Sequence, residues 1–282
     1  MPDERYARLA AEHLPGDLAR RWTELLRPCV RLRRAADGER AAATLGGRPA
    51  LPEGVGWPAR PGHGPLAFVA SVRCAQLPRK GVSERFPQDG TLLFFRYDGQ
   101  GDEDAVVGGR DAEAGARVLY IPEDTPVLVT DAPPDVDVFP RVELTAEPEQ
   151  SAPDLWLPRA RQALLGEGRL WPHPRETPSE LKPFLRAFGR LRTRVGHQIG
   201  GHAVPVQGPV EYEIANAELG GSGTWGDEPL DREAERWVLL AQFDSDSDAH
   251  MTWGDAGTLY WLIRPEDLAT HRFDRARLTV QC

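Results

Sequence analysis

Proline and glycine punctuate the whole chain, and this feature constrains the fold more than any other. The 282 residues include 26 prolines and 28 glycines, spread along the chain rather than gathered in one region. Because both residues interrupt regular backbone structure, this spacing favours many short elements joined by turns over long helices. Hydrophobic residues make up 40% of the chain, which is enough for a core, and no flexible linker divides it.

Short apolar or alternating runs bounded by turn residues predict strands along most of the chain. These runs cover residues 66–72, 91–97, 117–121, 127–130, 138–144, 210–214, 237–243, 258–263 and 277–281. Helical periodicity predicts two short amphipathic helices between residues 3 and 28, interrupted at Pro15-Gly16. It predicts further helices over residues 155–165 and after Thr177, where Thr177 and Glu180 form a capping box around Pro178.

Two stretches of the chain echo each other. Residues 66–72 are followed by a polar loop and a Gly90-Thr91 start to an aromatic strand, and residues 238–243 are followed in the same way by Gly257-Thr258. Two duplicated halves that each bury one sheet face would form a single domain. The sequence therefore predicts an α+β fold, mainly antiparallel β with two similar β-rich halves, and with helices at the N-terminus and between the halves.

Charge and cysteine content bound the classes of partner and compartment. The formal charge is −9, and a negative surface repels phosphate backbones, so no nucleic acid is expected as a partner. Three scattered cysteines, Cys29, Cys74 and Cys282, do not form a disulfide framework and fit a reducing compartment. With neither a signal-peptide pattern nor a long apolar run, we expect no membrane association and a cytoplasmic location.

An acidic loop near the C-terminal end is the candidate metal site. Asp244, Asp246, Asp248 and Asp255 occupy positions one, three, five and twelve of this segment, the offsets at which calcium loops place their oxygen ligands. The segment departs from that pattern because its sixth position is Ala249 and its flanks are predicted strands. We therefore weigh Ca²⁺ or Mg²⁺ binding against an alternative in which the aspartates organise the turn by bonding to their own backbone.

Four further residues are candidate ligand contacts. The tetrapeptide Thr-Trp-Gly-Asp occurs twice, and its Trp225 and Trp253 place a flat apolar ring beside a carboxylate. Gln207 and Gln242 offer an amide that both donates and accepts hydrogen bonds. His197 and His202 lie in a Gly-containing loop without a zinc-binding pattern, so we interpret both as surface or hydrogen-bonded core histidines.

Four ordered motifs identify a resemblance to a known family. GGRPALPEGVGWP at 46–58, PLAFVASVRCAQLP at 65–78, GTLLFFRYD at 90–98 and the stretch from LLAQFDSD to WGDAGTLYWLI at 239–263 resemble the YwqG-like family of bacterial proteins, a domain of unknown function. The resemblance implies a β-rich domain over residues 46–282, preceded by an N-terminal helical segment over residues 1–45. It supplies no catalytic residues, and the position of some relatives beside secreted-toxin systems implies an immunity-type role as one alternative. The Ser71-Val72-Arg73 segment departs from relatives that carry a Gln and an acid there.

Together these observations predict a binding protein rather than an enzyme. The partner would be a small molecule or another protein, recognised near the acidic loop and the adjacent tryptophan. Two alternatives remain open at this point: a hydrolase that uses the acidic loop to hold a divalent metal, and a protein that neutralises a toxin. The sequence does not indicate an oligomeric state.

Overall fold

The computed structural model describes residues 4–97, 115–166, 177–191 and 195–282. The helices are α1 (Arg5–His13), α2 (Gly16–Thr23), α3 (Pro158–Leu165), α4 (Lys182–Leu191), α5 (Val210–Glu218), α6 (Glu228–Ala234) and α7 (Pro265–Ala269). The strands are β1 (Arg27–Arg34), β2 (Ala43–Leu45), β3 (Ala50–Pro52), β4 (Ala59–Arg60), β5 (Gly64–Pro65), β6 (Ala67–Arg73), β7 (Thr91–Arg96), β8 (Ala116–Ile121), β9 (Val127–Val129), β10 (Val142–Ser151), β11 (Gln198–Ile199), β12 (Val238–Asp244), β13 (Thr258–Ile263) and β14 (Arg277–Gln281).

Ten of the strands form one large antiparallel sheet that is nearly closed. Its order is β14-β13-β12-β11-β1-β10-β2-β6-β7-β8. The sheet curls so that its two ends pack together: the ring of Phe94 in β7 lies 5.2 Å from those of Phe243 in β12 and Trp261 in β13. At the rim, the ring of Tyr120 in β8 lies 5.5 Å from that of Phe273, just before β14. The predicted α+β class and its antiparallel sheet are confirmed.

The sheet is built from two copies of one five-strand pattern. Read outward from its centre, β1 is followed by β11, β12, β13 and β14, and β10 is followed by β2, β6, β7 and β8. The register is equivalent in the two copies. Val30 of β1 pairs with Ile199, the last residue of β11, and Val142 of β10 pairs with Leu45, the last residue of β2. In chain order, however, β1 precedes β2 and β10 precedes β11. Each half therefore contributes its first strand to the other half.

Local irregularities repeat along with the strands. A β-bulge lies between Phe68 and Ala70 in one half and between Leu239 and Ala241 in the other. The carbonyl inside each bulge accepts a hydrogen bond from the first glycine of a Gly-Gly pair, Gly46 at 2.9 Å and Gly200 at 3.0 Å. In both pairs, 46–47 and 200–201, the two glycines have positive φ. A shared bulge and a shared left-handed turn are what a duplicated segment produces.

Helices cover the outside of the sheet. At the N-terminal end, α1, α2, α3 and α4 bury a cluster centred on Trp22, Phe184 and Phe188. On the C-terminal half, α5 lays Val210 and Ile214 over Trp237, Leu239, Tyr260 and Leu262. No helix in the described part of the chain is long and apolar enough to cross a membrane.

One predicted strand is wrong. Residues 210–214 alternate in the sequence like a strand, yet they form the first turn of α5. Pro209 holds φ at −58° immediately before the helix, and Glu211 and Glu213 place negative charge at its positive end. Val210 and Ile214 face the sheet, while Tyr212 faces α6, and this burial on two sides produced the apparent alternation.

The N-terminal 45 residues contain strands as well as helices. The two predicted short helices are present as α1 and α2, but β1 and β2 follow them and lie in the middle of the large sheet. β1 gave no strand signal because arginines surround its buried Val30 and Leu32. The boundary at residue 45 stays a prediction. The helix predicted after Thr177 is present but begins later, at Lys182.

Candidate functional site

A row of buried polar side chains on the C-terminal half fixes a loop to the outside of the sheet. Gln242 is fully buried, its Oε1 accepts a hydrogen bond from Val204 N–H at 3.0 Å, and its Nε2 donates to the Gly196 carbonyl at 2.8 Å. Tyr260 Oη donates to the Val204 carbonyl at 2.9 Å, and burial raises the pKa of this phenol. Gln242 was predicted as a ligand contact, and the structure places it inside the protein, where it joins two loops.

The same loop is held at its far end by Gln281 of β14. Gln281 Oε1 accepts hydrogen bonds from Val206 N–H at 2.8 Å and Gln207 N–H at 3.0 Å, and its Nε2 donates to the Gly208 carbonyl at 2.9 Å. The Gln207 side chain donates to the Cys282 carbonyl. These bonds fix residues 200–208 and therefore position His202 in the loop and Glu211 at the start of α5.

Beside this loop lies a cavity of about 150 Å³. Its wall comes from the end of α2, the start of β1, the start of α3, the His202 loop, α5 and the segment from α6 to β12. The lining residues are Glu24, Leu25, Arg27, Pro153, Leu157, Arg159, His202, Glu211, Ala234, Glu235 and Trp237. Side chains of both positive and negative charge and the indole of Trp237 line this cavity.

The guanidinium of Arg27 has no partner in this wall among the residues that the structure describes. Arg27 is half-buried, and its guanidinium makes no hydrogen bond or ion pair with any residue that the structure describes. Burial lowers its pKa, the charge of Arg159 lowers it further, and the charge of Glu211 raises it. A cation that has lost water and has gained no partner among the described residues makes the ligand-free fold less stable.

The other polar groups of the cavity are anchored. Arg159 pairs with Glu235 at 3.3 Å. His202 is buried, and its Nε2 donates to the Leu25 carbonyl at 2.8 Å, which assigns the proton to that nitrogen. Trp237 Nε1 donates to Glu233 at 3.1 Å, so the indole wall is fixed in orientation. The cavity is therefore largely pre-formed around Arg27.

Asp244 and Asp246 of the acidic loop have separate structural partners. Asp244 Oδ1 accepts hydrogen bonds from Thr258 Oγ1 at 2.7 Å and from Ser245 N–H at 3.1 Å. Asp246 Oδ1 caps the turn by accepting from Ala249 N–H at 2.9 Å. These are the contacts of aspartates that organise a turn.

His197, which immediately precedes β11, completes this arrangement. Its Nδ1 accepts from Asp244 N–H at 3.1 Å, and its Nε2 lies 3.3 Å from Asp246 Oδ2. The hydrogen bond from His197 is the main reason that the pKa of Asp246 lies below its ordinary value of 3.8. The histidine thus orients the loop, in keeping with its interpretation as a hydrogen-bonded core residue.

The remaining two aspartates point elsewhere. Asp248 pairs with Arg34 of β1, and Asp255 is exposed. Within the described residues, no group of three or more His, Cys, Asp or Glu side chains is arranged to hold a metal ion. Binding of Ca²⁺ or Mg²⁺ at this loop stays a prediction that these contacts do not favour.

The two tryptophans of the repeated tetrapeptide have different environments. Trp253 is buried, packs edge-on against Phe139 and lies under the Arg96 guanidinium at 4.9 Å, so it belongs to the core. Trp225 is 47% exposed and available for contact with a partner. The four predicted ligand residues therefore do not line the cavity described above.

No local pattern in the sequence pointed to the cavity residues. Arg27 lies between a helix and a strand without a sequence signal, Glu211 lies within the wrongly predicted strand, and Trp237 was predicted only as the first residue of a strand. Their convergence depends on the exchange of β1 between the halves, which no local pattern encodes. His202 was predicted, together with His197, as a surface or hydrogen-bonded core histidine; its Nε2 bonds to the Leu25 carbonyl, whereas that of His197 lies beside Asp246.

Comparison with known protein families identifies a match over most of the chain. A family model described as a domain of unknown function, DUF1963, matches residues 43–282. A search of curated proteins found no match. The family match covers the region of the four motifs, and the narrower YwqG-like assignment stays a prediction.

Proposed function

The chain belongs to the DUF1963 family, a domain of unknown function, and we propose that it binds a small organic carboxylate in the cavity at Arg27. One observation carries this proposal: a desolvated guanidinium faces the cavity without a partner from the described protein. A carboxylate matches the planar fork of a guanidinium and would form two charge-assisted hydrogen bonds with it.

The rest of the wall favours a ligand of mixed character. Leu25, Leu157 and Trp237 provide apolar surface for the carbon skeleton, and Arg159 adds a second positive charge near the carboxylate position. Glu211 is buried, and its negative charge raises the pKa of Arg27, opposite to the effects of burial and of Arg159. A small cavity with few polar groups among apolar ones is typical of a binding site for a small molecule.

The acidic loop is not the site that we propose. Its carboxylates bind Thr258, Ala249, His197 and Arg34, which leaves the turn organised without a ligand. For the same reason we do not propose the metal-dependent hydrolase, and no observation favours the toxin-neutralising role. The proposal therefore keeps the predicted class, a binding protein with a small-molecule partner, and moves the site to the other side of the C-terminal half.

A thermal-shift screen with paired compounds tests the proposal. Each pair contains a small carboxylate and its neutral primary amide, so that size and shape are matched and only the charge differs. We expect at least one carboxylate to raise the melting temperature in a concentration-dependent way, with no effect of its amide, because only the anion offsets the charge of Arg27. Equal stabilisation by acid and amide, or no stabilisation by any carboxylate that fits the cavity, would overturn the proposal.

A further inference from the structure

Two half-exposed tryptophans form a corner on the protein surface, outside the cavity. Trp156, in the turn before α3, is 49% exposed, and Trp225, in the turn before α6, is 47% exposed. Their ring centroids lie 6.2 Å apart with the planes tilted by 55°. Large exposed aromatic rings that touch each other mark an interaction site more often than chance surface exposure does.

Trp225 is held rigidly in this position. Its ring stacks on Tyr212 with centroids 5.3 Å apart and planes at 18°. A Cβ atom at Gly208 would lie 2.7 Å from Trp225 Cη2, so the glycine backbone supports the edge of the ring. Tyr212 covers one face of the indole and Gly208 supports one edge, Trp156 packs beside it, and 47% of Trp225 stays exposed. Binding to this exposed part would cost little ordering of the side chain.

Each of the two turns contains an aspartate. Asp154 Oδ1 accepts a hydrogen bond from Trp156 N–H at 2.9 Å, and Asp227 Oδ2 accepts from Thr224 N–H at 3.0 Å. Each tryptophan therefore has a carboxylate two residues away in its own turn. Among the described arginines close to these turns in the chain, Arg159 pairs with Glu235, Arg161 with Asp231 and Arg232 with Glu228.

We propose that the Trp156–Trp225 corner binds a compact organic cation of the alkylammonium class. Indole faces attract cations through their electron-rich centres, and aromatic cages of this kind recognise quaternary ammonium groups. The carboxylate of Asp227 adds long-range attraction and disfavours anions at the same place. Trp156 and Trp225 do not line the cavity at Arg27, although Pro153 and Leu157 of the Trp156 turn do, and the proposal does not depend on the proposed function.

Choline chloride is the probe, and its uncharged carbon isostere, in which a tert-butyl group replaces the trimethylammonium group, is the matched control. Binding is followed by the indole N–H signals of the full-length protein in two-dimensional NMR, assigned with the variants Trp156→Leu and Trp225→Leu. We expect choline to shift the signals of these two residues with a millimolar Kd, about fivefold tighter than the isostere. The charge-removing variant Asp227→Asn preserves the hydrogen-bond acceptor and should weaken choline binding, whereas Leu219→Ala should leave it unchanged.

Three results would contradict the proposal. Equal affinity for choline and its isostere would show an apolar patch without charge recognition. Choline binding that survives both tryptophan substitutions, each checked for a native spectrum elsewhere, would place the site at another surface. No shift of either indole signal by millimolar choline would show that the corner does not bind this class of cation.

Discussion

Arg27 is the residue on which the functional account depends, and its isolation has a measurable consequence. A half-buried guanidinium without a partner destabilises the ligand-free fold, which is the expected cost of a pre-formed anion site. The lowered pKa of Arg27 has the same origin, since burial and Arg159 both disfavour its charged form.

We therefore expect Arg27→Gln to leave the melting temperature of the ligand-free protein at pH 7 unchanged or higher. Arg161→Gln provides the contrast, because Arg161 is buried, pairs with the partly buried Asp231 and lies 3.2 Å from Tyr212 Oη. Loss of that partner should cost about 3 kcal/mol, since a partly buried carboxylate is left uncompensated. Denaturant unfolding of both variants measures the difference. A loss of stability at position 27 as large as that at position 161 would mean that Arg27 has a structural role.

Asp246 predicts a dependence of stability on acid. Its pKa is lowered in the folded protein, so its charged form stabilises the fold above the ordinary pKa of 3.8, and this contribution disappears as the pH falls through the lower folded value. The stability advantage of the wild type over Asp246→Asn should therefore be on the order of 1 kcal/mol near neutral pH and vanish in strong acid. Unfolding curves across that pH range measure it. An advantage that does not change with pH would show that the charge is not involved.

At the scale of elements, the sequence predicts the repeated meanders well and the connecting elements poorly. The strands β6, β7, β12 and β13 were recognisable because each is buried on both faces and bounded by turn residues. In β1, arginines alternate with the few apolar residues, which hides the strand pattern in the sequence. In the sheet these arginines pair with β10, as Arg33 does with Glu147 at 2.6 Å. α5 was mistaken because the sequence does not show that two different partners bury it.

The Gly-Gly turns allow a matched test of element geometry. Gly200 and Gly201 both have positive φ, but a Cβ at Gly200 would meet open space, whereas one at Gly201 would lie 2.6 Å from Cys29 Cβ and collide with Ser151 Oγ. We expect Gly200→Ala to cost about 1 kcal/mol for the left-handed backbone alone. Gly201→Ala should cost clearly more, because the clash adds to it. Chemical denaturation of the two variants decides this, and equal costs would contradict the packing described for this turn.

At the scale of the whole molecule, the exchange of first strands makes the halves interdependent. β1 lies between β11 and β10, and β10 lies between β1 and β2, so neither half can complete its sheet alone. The cavity also requires this exchange. Arg27 lies at the start of β1 in the first half, whereas the rest of the wall comes from the second half and from the chain around α2 and α3. The echo of the two halves was visible in sequence, whereas the exchange was not, since it concerns pairing between distant segments.

Expressing the chain as two pieces tests this interdependence. With a cut within residues 167–176, the second piece retains β11 to β14 but lacks both central strands. We expect that piece alone to show no cooperative unfolding, because Phe243 and Trp261 lose the contact with Phe94. When both pieces are expressed together, a tag on one should co-purify the other. A second piece that folds cooperatively by itself would contradict the interdependence of the halves.

The most direct test of the central claim is calorimetric titration of a carboxylate identified by the thermal-shift screen into three proteins: the wild type, Arg27→Gln and Arg33→Gln. Arg33 lies on the same strand as Arg27 but is exposed and pairs with Glu39 and Glu147, so it serves as the matched control. The account predicts equal binding by the wild type and the Arg33 variant, and at least about tenfold weaker binding by the Arg27 variant, as for loss of a charge-assisted hydrogen bond. Unchanged affinity in the Arg27 variant would contradict it.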